Sequence, residues 1–137
     1  MVEISNIKKI LLVDDDDTSN FINKLVLKGM NISPEIEVST NGEDALEYLI
    51  KSCRENSNTE CHTLILLDIN MPVMNGFEFL DAIKNNPEID DKDLHVCMLT
   101  SSTNPDDIKR AKTYNIQGYL DKPLTPEKIK KVLNENK

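Results

Sequence analysis

Leu64-Ile65-Leu66-Leu67-Asp68-Ile69-Asn70-Met71-Pro72 decides how the rest of the chain is read. Its first four residues are wholly apolar and do not alternate with polar ones. A run this short suggests a strand buried on both faces, as in a parallel sheet covered by helices. The run then ends on a carboxylate, Asp68. Ile10–Val13 and Val96–Leu99 repeat the pattern, and the first of these is followed by Asp14-Asp15-Asp16-Asp17. Ile36–Ser39 and Gln117–Leu120 are weaker strand candidates.

Helical spacing fills the intervals. Phe21, Ile22, Leu25 and Val26 recur at the helical period, as do Ala45, Leu46, Leu49 and Ile50 after Asn41 as N-cap. Phe77, Leu80 and Ile83 follow Asn75, with Glu78 placed for a capping box. Asn104-Pro105-Asp106-Asp107 supplies a cap, a proline at the first helical position and acids facing the positive dipole end. Thr125-Pro126-Glu127 repeats that logic before Ile129, Val132 and Leu133. Lys51–Thr63 is polar and either extends the second helix or forms a loop. The order is five β-α units in succession. That predicts an α/β fold with a doubly wound parallel sheet.

A chain of 137 residues suits one domain, expected to span 1–137 with its core at about 7–135 and no output domain. The formal net charge of −8 repels nucleic acid and anionic membranes, so neither is an expected partner. No apolar run approaches the roughly 20 residues that span a bilayer. Met1–Asn6 lacks the blocks of a signal peptide, so a cytoplasmic protein is expected. Cys97 reads as a small core residue. Cys53, Cys61 and His62 share a polar segment whose spacing fits no common zinc pattern, and they read as part of a surface loop.

In an open α/β sheet, ligands sit beyond the carboxyl ends of the strands. Those ends carry Asp14 and Asp15, then Asp68, then Thr100 with Ser101 and Ser102, then Lys122 before Pro123. Clustered carboxylates repel one another and need a hard cation to remain ionised together. Mg2+ suits them, with its oxygen ligands, retained waters and affinity for phosphate. A carboxylate can act as a nucleophile and become an aspartyl phosphate. Alone, each residue has a plainer reading: a cap, a strand end, a surface charge, a half-buried aromatic. Asp16 or Asp17 beside Thr18 is better read as a helix cap.

Taken together, Ile10–Asp16, Leu64–Gly76, Met98–Ser101 and Gly118–Pro123 resemble the signature blocks of response-regulator receiver domains, the CheY-like family of two-component signalling. The resemblance covers roughly residues 7 to 135. It implies a flavodoxin-like sheet of five strands in the order 2-1-3-4-5 with five helices. It implies Asp68 as phosphoacceptor, and Mg2+ held by Asp15, Asp68 and the Asn70 backbone carbonyl, with Asp14 acting through water. Thr100 and Lys122 would bind the phosphoryl oxygens, beside the small Ser101. Thr100 and Tyr119 would form the switch, read by an unknown downstream protein at the face of helix 4, strand 5 and helix 5. The phosphodonor would be a sensor histidine kinase or a phosphotransfer protein. Catalysis would be limited to the chain's own phosphorylation and dephosphorylation, with Asn70 and Ser102 flanking the attacking water. A cis Lys122–Pro123 bond is also implied. Asn75, where the family often has Asp, and the long Cys53–His62 stretch are departures.

Two alternatives remain at this level. Asp14-x-Asp16-x-Thr18 also resembles the first motif of Mg-dependent haloacid-dehalogenase-like phosphatases, with Asp14 as nucleophile. That reading lacks an acidic strand end after Lys122 and leaves Asp68-Ile-Asn-Met-Pro unexplained. A receiver fold used for binding alone is opposed by the intact set of acids, Thr100 and Lys122.

Overall fold

The computed structural model describes residues 7–30, 35–55, 62–89, 94–101 and 104–134. The elements run β1 (Ile7–Val13), α1 (Asp17–Lys28), β2 (Glu35–Ser39), α2 (Gly42–Glu55), β3 (His62–Leu67), α3 (Gly76–Asn85), β4 (Leu94–Thr100), α4 (Pro105–Ala111), β5 (Gly118–Asp121) and α5 (Pro126–Asn134). All strand pairs are parallel and the order is β2-β1-β3-β4-β5, as expected. The polar stretch after Ile50 extends α2 as far as Glu55.

The apolar runs serve both faces of the sheet. Ile65 and Leu67 of β3 pack with Leu11, Val13, Val96 and Met98 beneath α2, α3 and α4, whose Ala45, Leu49, Phe77, Leu80 and Ala111 complete that layer. Leu64 and Leu66 pack with Ile10, Leu12, Cys97 and Leu99 on the other face, beneath Leu27 of α1 and Ile129 and Val132 of α5. Burial of successive residues on opposite faces is why these strands show no polar alternation. Cys97 is buried, as its apolar context predicts.

The helices begin where the caps predict. The Thr18 N–H donates to Asp16 Oδ1 at 3.0 Å and the Asp44 N–H to Asn41 Oδ1 at 2.9 Å. Asn75 and Glu78 form a complete capping box, and Asn104 caps α4 ahead of Pro105. The Lys128 N–H donates to Thr125 Oγ1 at 3.3 Å.

The helical period of α1 is borne out, and the structure adds which way the helix faces. Phe21, Ile22 and Leu25 recur at helical spacing, which ordinarily marks a buried stripe, yet they are 63%, 42% and 56% exposed. α1 instead buries Asn20, Asn23 and Leu27. The reason is polar: Asn20 Nδ2 donates to the Asp14 carbonyl at 2.8 Å, which turns that side of the helix inward.

Candidate acidic site at the carboxyl edge of the sheet

Parallel pairing brings the ends of β1, β3, β4 and β5 to one edge. The Asp14 N–H donates to the Ser39 carbonyl at 3.0 Å, the Asp68 N–H to the Val13 carbonyl at 2.9 Å, and the Lys122 N–H to the Thr100 carbonyl at 3.1 Å. These bonds continue the sheet by one residue and fix where each side chain starts. One carboxylate oxygen from each of Asp14, Asp15 and Asp68 lies within 4.8 Å of the other two. Lys122 Nζ sits 2.6 Å from Asp14 Oδ2 and 3.4 Å from Asp68 Oδ2. Asp14, Asp68 and Thr100 are buried, whereas Asp15, Asn70 and Ser101 are exposed. Tyr119 is half-buried against the layer that holds Met98.

The two buried carboxylates are separately held. Asp68 Oδ1 accepts the Ile69 N–H at 2.8 Å, leaving Oδ2 toward the amine. Asp14 Oδ1 accepts the Asp16 N–H at 2.9 Å. Burial pushes the Asp14 carboxyl up, and this outweighs the lowering by its hydrogen bond to Lys122. Burial works against the Lys122 ammonium, but its bond to Asp14 and the charges of Asp68 and Asp14 together raise it. The ion pair therefore keeps the amine charged, while desolvation of Asp14 exceeds what one amine returns to it. Three oxygen donors from adjacent carboxylates match a hard divalent cation, which would supply the missing positive charge. The donor set thus fits Mg2+.

Several positioning residues were not legible as such. Gly76 donates its N–H to the Ile69 carbonyl at 2.9 Å, and a Cβ there would overlap the Asp68 carbonyl. A side chain at that position would displace the backbone of Asp68 itself. Lys128 Nζ donates to the carbonyls of Asp121 and Pro123, at 2.8 and 2.9 Å, and so clamps the turn that carries Lys122. A lysine in the first turn of a helix opposes the dipole, and that anomaly was its available signal. The Lys122–Pro123 peptide is cis, as expected.

Asp16 is a cap, as read. Its carboxyl is held below the usual range by the Ser19 hydroxyl and the Thr18 N–H. His62 and His95 lie at the opposite, amino-terminal edge, at the beginnings of β3 and β4. Ser102, Cys61 and the side chain of Cys53 fall outside the described residues. No helix among the described residues is long and apolar enough to cross a membrane.

Residues 10–134 match the response regulator receiver domain family. Response regulator Rcp1 of Synechocystis sp. is 36% identical over 115 residues, covering 84% of this chain and 76% of that protein. The crystal structure of a two-component response regulator from Cytophaga hutchinsonii is similar at a TM-score of 0.79 and 32% identity, covering 95% of this chain and 96% of that one. The Mn(2+)-bound form of Rcp1 is similar at a TM-score of 0.68 and 32% identity, covering 93% and 90%. With an acidic site at the carboxyl ends of a 2-1-3-4-5 sheet, and these likenesses over nearly all its length, the chain belongs to the response-regulator receiver family and has a CheY-like signalling fold.

Proposed function

We propose that Asp68 accepts a phosphoryl group from the phosphohistidine of a sensor kinase or phosphotransfer protein. The observation that carries this reading is the convergence of three carboxylates with Lys122 on one sheet edge. An Asp68 oxygen attacks phosphorus, the bond from phosphorus to the donor nitrogen breaks, and its electron pair stays on the imidazole. Asp15, Asp68 and the Asn70 carbonyl, with Asp14 through water, would hold Mg2+, which would neutralise charge on the transferring oxygens. Lys122 and the Thr100 hydroxyl bind the oxygens that arrive. Lys122 is already charged and within reach, so it need only exchange Asp14 for the phosphoryl group.

The site lies on a chain with two surfaces to offer. Exposed Phe21, Ile22 and Leu25 sit on α1, whose first turn follows directly from the acids. They give the helix that follows Asp14 and Asp15 an exposed apolar surface, and the phosphodonor is proposed to dock there. Readout belongs to the α4-β5-α5 face: Thr100 moves toward the phosphoryl group and Tyr119 takes up a second packing, a population shift that the phosphate favours. Hydrolysis of the aspartyl phosphate is the single turnover, and the chain works in the cytoplasm as one receiver domain. The haloacid-dehalogenase-like alternative gains no support, because α5 rather than an acidic strand end follows Lys122 among the described residues.

The test is phosphorylation with acetyl phosphate and Mg2+, followed by mass spectrometry of the intact chain. One phosphate per chain is expected, absent in Asp68→Asn. Retained labelling in Asp68→Asn, lost in Asp14→Asn, would return the phosphatase reading.

A further inference from the structure

At the amino-terminal edge of the sheet, β3 begins with His62 and β4 carries His95 as its second residue. His95 pairs in register with Leu64, so His62, two residues before Leu64, stands diagonally across on the same face. The two rings meet nitrogen to nitrogen. His62 Nδ1 lies 3.1 Å from His95 Nε2, with ring centroids 5.2 Å apart and planes tilted by 42°. His95 is only 8% exposed, while His62 is half-buried and opens the pair to solvent. Gln117 Nε2 lies 3.4 Å from His95 Nδ1.

Neutral imidazoles placed this way share one hydrogen between the facing nitrogens. The same separation suits a shared metal ion. Two imidazoles bound tetrahedrally at about 2.0–2.1 Å hold their nitrogens roughly 3.3 Å apart. The pair is within a few tenths of an ångström of that spacing before any ion arrives. When His95 Nε2 acts as a ligand, its hydrogen must move to Nδ1, which then needs an acceptor. Gln117 can meet that need by turning its amide so that Oε1 replaces Nε2. The ring changes tautomer, and the neutral pair loses no proton.

We infer that His62 Nδ1 and His95 Nε2 form a binding site for a divalent transition-metal ion of the Zn2+ class, separate from the acidic edge, with solvent completing the coordination. Imidazole suits Zn2+, Ni2+ or Cu2+, and carboxylate oxygens suit Mg2+. The chain would therefore sort two kinds of cation to opposite edges of one sheet. Cys97 lies two residues beyond His95 on β4 and is buried in the core among Leu64, Leu66 and Leu99.

The experiment is a Zn2+ titration of the 15N-labelled chain carrying Cys53→Ser and Cys61→Ser, at neutral pH with Mg2+ in excess. It reads histidine ring nitrogens through their long-range couplings to ring protons. His62 Nδ1 and His95 Nε2 should shift together and saturate at one ion, with His95 passing to the Nδ1–H form. His62→Gln should weaken the response at His95 by about ten-fold or more. Shifts at His62 alone, or none at a ten-fold excess of Zn2+, would overturn the site. The reading on the otherwise unaltered histidines decides the matter even if His62→Gln does not fold.

Discussion

At Asp14, burial and charge act in opposite directions. The side chain is nearly enclosed, touches Lys122, and faces Asp68 across the site. Its folded value is raised above the ordinary 3.8. A group raised on folding contributes most below its unfolded value, and that contribution is lost as pH rises through the folded one. Ionised Asp14 therefore costs the cation-free protein stability at neutral pH. Asn keeps the acceptor for the Asp16 N–H and removes the charge. Asp14→Asn should accordingly be more stable than wild type to urea at pH 7 without Mg2+, with an advantage that shrinks below pH 4. Equal midpoints at pH 7 would contradict this account. Cys97 is a simpler case. It is buried, and its thiol is pushed up to about 12 by burial alone. Alkylation at pH 8 should be slower than in the unfolded chain by about 10³-fold or more, because reaction waits on opening. Peptide mapping before and after denaturation measures it.

Among the elements, the β3–α3 connection holds the one described non-glycine residue at positive φ, Val73 at 68°. A β-branched side chain in the left-handed region carries roughly 1–2 kcal/mol of strain. Val73 is also 74% exposed, so it offsets little of this by burial. Val73→Asn, which tolerates that conformation, should raise stability by about 1 kcal/mol in denaturant melts. No gain would show that the loop relaxes around Val73 without strain. α1 carries the matching functional prediction. Phe21→Ser or Leu25→Ser should leave the urea midpoint and acetyl phosphate labelling nearly unchanged. Transfer from the cognate phosphodonor should fall by about ten-fold, the effect of losing one interface anchor of roughly 1.4 kcal/mol. Unaltered transfer would place docking elsewhere. The same helix shows where sequence reading fails. A 3.6-residue period places Phe21, Ile22 and Leu25 on one face but does not say whether that face meets the core or a partner. The inward face of α1 is set by Asn20, whose bond to the Asp14 carbonyl reaches across six residues. The strands were legible because each is a short apolar block, and the helix starts because caps such as Asn75 with Glu78 act within a single turn.

Across the whole molecule, legibility follows the same division between local and distant. Asp14, Asp68, Thr100 and Lys122 could be placed on one edge because each directly follows a strand and the parallel topology does the rest. That Lys122 stands nearer Asp14 than Asp68 has no local pattern, and Lys128, which holds its turn, shows in the sequence only as a lysine placed against the helix dipole. The acid cluster is thus assembled by folding, from segments 54 residues apart in the case of Asp68 and Lys122. The unfolded chain has no comparable site, so a cation that binds the cluster must stabilise the entire fold. Mg2+ at a hundred times its dissociation constant should add about 2.7 kcal/mol to the free energy of unfolding. Asp15 is exposed and is proposed as a direct ligand, so Asp15→Asn should fold normally and lose most of that increment. Urea melts of both proteins across a Mg2+ series measure it. A wild-type midpoint that does not move with Mg2+, or one that moves equally in Asp15→Asn, would mean that the three carboxylates do not act as one cation site.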